Sequence, residues 1–242
     1  EYDEGFPLGD GTPDEIANSK SAGLRVFGQF ATGAVDHEVS VQAYRIERRY
    51  RDGNIFGTSD NTYTGKRQKI AYQGAVNIGG DGRFVFGADW TGEDYDQFGT
   101  FGALAARTAT SGVFGELRYA PSDRLDLSAA LRHDDHSDFG GHTTGRVALA
   151  WRPTDDLILR MQAGTGFRAP SNFELYSAFG SLTLQPEESR NVDLGVEKRF
   201  GEQGFIRATA FWLAVDNLID YDLVVNRYNQ VPGISRRKGI EL

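Results

Sequence analysis

Apolar and polar side chains alternate with a period of two through most of this chain, and this restricts the fold more than any other feature. Leu125, Leu127, Ala129 and Leu131 alternate with Asp126, Ser128, Ala130 and Arg132. Val147, Leu149 and Trp151 alternate with Arg146, Ala148 and Arg152, and Phe84, Phe86, Ala88 and Trp90 with Arg83, Val85, Gly87 and Asp89. Successive side chains on a strand point to opposite faces, so the pattern builds strands with one apolar and one wet face. Helical periodicity is nearly absent. About eleven strands are predicted, near 21–32, 37–50, 66–78, 83–92, 110–120, 124–134, 143–152, 156–166, 190–200, 204–219 and 230–242.

The connections alternate in length. Short ones fall at 33–36, 79–82, 121–123, 153–155 and 201–204, and long ones at 51–65, 93–109, 135–142, 167–189 and 220–229. Pro-Ser-Asp and Pro-Thr-Asp fit type I turns, and Gly-Gly-Asp-Gly permits positive φ. In an antiparallel meander this order puts every tight turn at one end and every long loop at the other. Transmembrane β-barrels have that layout. Tyr119, Trp151 and Phe200 each sit just before a short turn, where an interfacial aromatic girdle belongs. A soluble propeller or sandwich gives glycine-rich alternating strands too, but supplies no reason for loop lengths to sort so regularly.

Composition narrows the choice further. Glycine makes up 30 of 242 residues, yet aromatics reach 12%, which argues against a disordered glycine-rich chain. Cysteine is absent, which excludes disulfide frameworks, thiolate nucleophiles and zinc fingers. The longest apolar run, Ala210–Val215, is far short of a membrane-spanning helix. A formal charge of −8 argues against a nucleic-acid partner. No basic-then-apolar leader precedes Glu1, and the chain stops within a strand-like stretch at Gly239–Leu242, so it reads as a piece of a longer protein.

Candidate chemistry is sparse. His133, Asp134, Asp135, His136 and Asp138 offer metal-ligand types, but neighbours on a strand point to opposite faces, and a solvated strand end accounts for them better. Gly164-Thr165-Gly166 lacks the lysine and helix of a phosphate loop, and Arg236-Arg237-Lys238 reads as a polar approach to the last strand. No nucleophile–base arrangement stands out. The chain is read as a non-enzyme with no cofactor and no metal site.

Residues 124–242 resemble a specific family. Leu125–Arg132, the phrase His133-Asp134-Asp135-His136-Ser137-Asp138-Phe139-Gly140, then Gly164-Thr165-Gly166-Phe167-Arg168-Ala169-Pro170-Ser171 with Glu174-Leu175-Tyr176 resemble the wall of TonB-dependent outer-membrane receptors. So do Leu184-Gln185-Pro186-Glu187-Glu188-Ser189-Arg190 with the strand after it, and Asn217-Leu218-Ile219. Over 21–120 the resemblance is only architectural. It implies an all-β, up-and-down antiparallel meander, part of a 22-stranded transmembrane barrel and an open curved sheet when taken alone. By the same resemblance, residues 1–242 form a partial barrel domain without the plug and the C-terminal strands. The long loops would be extracellular and the short turns periplasmic, in a Gram-negative outer membrane.

Such receptors import a scarce nutrient with energy from TonB, which acts through the plug segment. The resemblance leans towards the cobalamin branch on the phrase at 133–140, with a ferric siderophore or haem as the alternative ligand. Outer-membrane lipid and lipopolysaccharide are the surrounding partners. Two other classes stay open: an adhesive or structural surface barrel without transport, and a secreted β-rich enzyme needing Asp134 and Glu174 as a pair. The long-loop charges sum to −8, an acidic rim that favours a neutral or cationic ligand. Phe98, Phe101, Phe139, Tyr176 and Phe179 are the candidate ligand contacts, able to grip a bulky, partly apolar molecule.

Overall fold

A computed structural model describes residues 16–54, 57–201 and 204–242. Its strands are β1 (Ile16–Thr32), β2 (Val35–Asn54), β3 (Gly57–Ile78), β4 (Gly82–Gly99), β5 (Gly102–Ser122), β6 (Leu125–His136), β7 (Gly140–Thr154), β8 (Leu157–Arg168), β9 (Glu187–Phe200), β10 (Gly204–Asp216), β11 (Ile219–Asp222), β12 (Arg227–Gln230) and β13 (Ile234–Glu241). One short helix, α1 (Asn172–Tyr176), lies between β8 and β9.

Eleven strands form a single sheet in the order β1 through β10 and then β13, every neighbour antiparallel, while β11 and β12 make a separate hairpin. The expected meander is therefore present, and among the described residues β1 and β13 are its unpaired edges. Both edge strands run in the same direction, so all-antiparallel closure through them takes an odd number of further strands.

Register makes the two faces explicit. Val35, Val76, Phe84, Leu117, Ala129, Val147, Ala163, Val192 and Trp212 pair in succession, one per strand, from β2 to β10. This row crosses nine strands without a polar residue. Among the described residues no second sheet covers it: Val147 is 56% and Leu117 41% exposed. A soluble sandwich would bury such a row. Among the described residues only Ala75, Ile158, Leu175, Leu184, Ala214 and Ile219 are buried apolar side chains. The opposite face carries Asp89, Arg132, Asp134, Arg160, Asp193, Glu197 and Arg207, joined by hydrogen bonds and ion pairs.

High glycine and high aromatic content have one explanation in the sheet. Phe86 lies over Gly74, Phe114 over Gly87 and Phe211 over Gly239, each pair directly cross-strand. A Cβ on Gly74 would stand 2.5 Å from the Phe86 ring. Glycine here gives an aromatic ring a place to lie flat on the neighbouring strand. Pro121 and Pro153 fall at the two register breaks of the sheet, Tyr119/Ser122 and Trp151/Thr154. A residue that cannot donate to the ladder is tolerated at such a bulge. Tyr119, Trp151 and Phe200, 45%, 46% and 55% exposed, sit at the same strand end beside these turns.

The predicted long loops need correction. Strands β2 and β3 continue through 51–65 and pair to Asn54↔Gly57, so that stretch is a tall hairpin. Likewise β4 and β5 pair to Gly99↔Gly102 through 93–109, and β6 and β7 to His136↔Gly140 through 135–142. Strands consequently run 12–22 residues in β1–β10 rather than about ten. Beyond a lipid layer both faces of a hairpin are wet, so the alternation that marks a strand fades there while the ladder continues. The strand predicted at 204–219 ends at Asp216, and the last one begins at Ile234, because β11 and β12 take up the 220–229 stretch. Residues 1–15, 55–56 and 202–203 lie outside the described residues.

Candidate functional site

Two connections remain long, and they converge. Residues 169–186, between β8 and β9, fold back across the polar face. Phe173 of α1 meets Tyr63 of β3 and Tyr95 of β4 edge-on, with ring centroids 5.9 and 6.4 Å away. Strands β4 and β8 are four positions apart in the sheet, about 19 Å on a flat surface at ~4.8 Å per strand. Phe173 closes that gap because the sheet curls around it.

The β11–β12 hairpin folds onto the same place. Tyr228 packs on Phe173 and Tyr221, at 6.0 and 5.2 Å, and the Tyr228 N–H donates to the Phe179 carbonyl at 2.8 Å. Phe179 contacts Tyr221 and Phe101, at 6.1 and 5.4 Å. Seven rings thus run from Tyr50 through Tyr63, Phe173, Tyr228, Tyr221 and Phe179 to Phe101 along one end of the polar face. Beneath them sits a small core of Leu175, Leu184 and Ile219, against which Phe139 and Tyr176 pack.

Of the five candidate ligand contacts, four take part in this assembly. Phe101 and Phe179 touch, Phe139 and Tyr176 flank the core, and the Tyr176 hydroxyl donates to Asp138 Oδ2 at 3.2 Å. Burial, reinforced by the Asp138 charge, raises the Tyr176 pKa. Phe98 does not join. It lies within β4 in step with Trp90 and Phe84, on the apolar face, and is 75% exposed. Tyr50, Tyr63, Tyr95, Tyr221 and Tyr228 were missed because their ring contacts join elements far apart in sequence, which no local pattern marks. Phe173 was legible only as a loop residue.

The residues at 133–138 diverge. His133 Nδ1 meets Thr143 Oγ1 at 2.8 Å, Asp134 turns to Arg132 on the polar face, and His136 Nδ1 accepts from the Asp138 N–H at 3.1 Å.

The acidic rim also needs correction. Four of its carboxylates are paired with bases on the tall hairpins, of which Arg49, Lys66 and Arg67 fell outside the loop boundaries and Arg51 and Arg107 inside them. Asp60 takes Arg49 and Arg51, Glu93 takes Arg67, Asp96 takes Lys66 and Asp94 takes Arg107. The Arg49 hydrogen bond, with help from Arg51, holds Asp60 down at about 2. Four of the rim's carboxylates thus stand in ion pairs.

The apolar row and the polar, ion-paired face opposite it are those of a membrane barrel wall, and the family comparison agrees. The family model described as TonB dependent receptor-like, beta-barrel matches residues 6–242. The chain belongs to the TonB-dependent receptor β-barrel family. Receptors of this family are transporters and receptors of the outer membrane, not enzymes. Among curated proteins this chain is similar to the vitamin B12 transporter BtuB of Vibrio cholerae, 28% identical over 191 residues. That match takes in 78% of this chain and 30% of BtuB, so the chain spans under a third of the relative's length. Among solved structures, the hemophore receptor HasR of Serratia marcescens has a TM-score of 0.75 at 13% identity, over 93% of this chain and 46% of HasR. The ferric enterobactin receptor PfeA of Pseudomonas aeruginosa has a TM-score of 0.74 at 14% identity, over 84% of this chain and 36% of PfeA. At these identities the structural likeness carries the fold alone.

Proposed function

We propose that this chain is the wall and mouth of an outer-membrane receptor that imports a cobalamin-type nutrient through a TonB-driven step. The run of seven rings from Tyr50 to Phe101 carries the reading, because such a surface suits a large molecule with flat, partly apolar faces. Similarity to a vitamin B12 transporter over 191 residues supports the same ligand class. The paired charges of the rim neither attract nor repel a ligand strongly, so ligand choice falls to shape and ring contacts.

In this reading the plug and the strands that complete the barrel lie outside residues 1–242, and TonB acts through the plug. The tall hairpins and the mouth face the cell exterior, among lipopolysaccharide, and the short turns face the periplasm. A ferric siderophore or haem is the second reading, favoured by the Arg–carboxylate pairing that removes a repulsive rim. Binding of cyanocobalamin and of a ferric catecholate to the full receptor separates the two. Tight corrinoid binding is the expected result, and tight catecholate binding without detectable corrinoid binding would overturn it.

A further inference from the structure

We propose that Arg168 is a positioning residue for the mouth: its guanidinium, gripped between Glu174 and Glu187, fixes the inward fold of residues 169–186 and so seats Phe173 against Tyr63 and Tyr95. Arg168 Nε and Nη2 each donate to Glu187 at 2.8 Å, and Nη1 donates to Glu174 Oε2 at 2.9 Å. Both carboxylates are 14% exposed. Each also serves a second element. Glu174 accepts from the Ser171 N–H at 2.7 Å and completes the capping box of α1, and Glu187 accepts from the Ile219 N–H at 2.8 Å. One side chain therefore ties the end of β8, the helix, the start of β9 and the root of the β11–β12 hairpin.

The other ties on this connection are ring contacts and single hydrogen bonds, such as Tyr228 N–H to the Phe179 carbonyl and the Tyr176 hydroxyl to Asp138. A five-residue helix has no stability of its own, and the core beneath it is three side chains. Without the guanidinium, two half-buried carboxylates would face each other uncompensated, and separating them carries Phe173 off the wall. The planar fork of arginine reaches two carboxylates at once; the point charge of lysine does not.

The ligand-facing half of this inference rests on the proposed receptor function, so the test has a readout independent of ligand. In the full receptor, made cysteine-free, spin labels at Leu182→Cys and Phe98→Cys report the distance from the connection to the wall. Labels at Val147→Cys and Phe98→Cys report the wall alone. Arg168→Gln is expected to broaden the first distance and leave the second sharp. Corrinoid affinity should fall about tenfold or more as the pre-organised mouth is lost. Arg168→Lys should behave like Arg168→Gln, and Glu187→Gln, which keeps one carboxylate partner, should broaden the first distance partially even if Arg168→Gln fails to assemble. An unchanged first distance in Arg168→Gln, or full rescue by lysine, would overturn the proposal. Broadening in a receptor whose wild type binds no corrinoid would retain the clamp and overturn the ligand assignment.

Discussion

Arg132 reaches across an entire strand to grip Asp89: Nη1 and Nη2 of β6 meet Oδ2 and Oδ1 of β4 at 2.8 and 3.1 Å. The strand between them contributes Gly112, paired in register with Asp89 on one side and Asp134 on the other. Arg132 also binds Asp134, at 2.6 Å, and Lys69 stands 3.5 Å from Asp89. A Cβ on Gly112 would lie 2.1 Å from Arg132 Nη2.

Gly112→Ala should therefore displace the guanidinium from a largely buried carboxylate. A cost of about 2 kcal/mol is expected, from a network left partly unpaired. Asp89→Asn in the Gly112→Ala background should add much less than it does alone. A double-mutant cycle by chemical unfolding in lipid checks this, and full additivity would show that the two residues do not share the network.

The apolar row makes a depth-dependent expectation. Val147→Arg, near its middle, should destabilise the receptor by about 2–4 kcal/mol, whereas Ala148→Arg on the polar face should cost far less. Unfolding titrations in matched bilayers read the difference. Equal costs would mean that the two faces do not see different solvents.

Acidity should loosen the mouth. The Arg168 hydrogen bond, opposed by burial, holds Glu187 below its ordinary 4.5; burial raises Glu174, but its bonds to Arg168 and Ser171 prevail and lower it too. A depressed carboxylate contributes stability that is fully present above its unfolded pKa and lost as pH falls through the folded value. The order of 169–186 should thus be constant from neutral pH to about 5 and decline below about 4.5. The Leu182–Phe98 label distance followed against pH checks it, and loosening that begins near neutrality would implicate other groups.

How much of this was legible follows from where solvent changes. Strand number and order are written in the alternation of segments such as 125–132 and 147–151, because lipid on one side and polar groups on the other demand it. Above the band that demand lapses. Thr58, Ser59, Asp60, Asn61, Thr62 and Thr64 read as a loop, yet they pair residue by residue with β2 and, from Asn61, with β4. Phe98 was misplaced for the same reason, although its parity with Trp90 already set it on the apolar face. The contact of Phe173 with Tyr63 joins residues 110 positions apart through sheet curvature and a folded-back connection, and no local pattern encodes that. The motif at 164–190 carried family membership clearly, but the chemistry of Arg168, Glu174 and Glu187 became readable only when all three met.

One face of this sheet meets lipid in the outer-membrane barrel and the other does not. Spin labels placed singly at 146, 147, 148 and 149 in the full receptor, in bilayers, test it through collisions with oxygen, which partitions into lipid, and with a water-soluble nickel chelate. Labels at Val147 and Leu149 should be relaxed strongly by oxygen and weakly by nickel. Those at Arg146 and Ala148 should show the weaker oxygen effect of a site turned away from lipid, giving a period of two. Uniform oxygen accessibility along the four positions, or an inverted phase, would contradict the account.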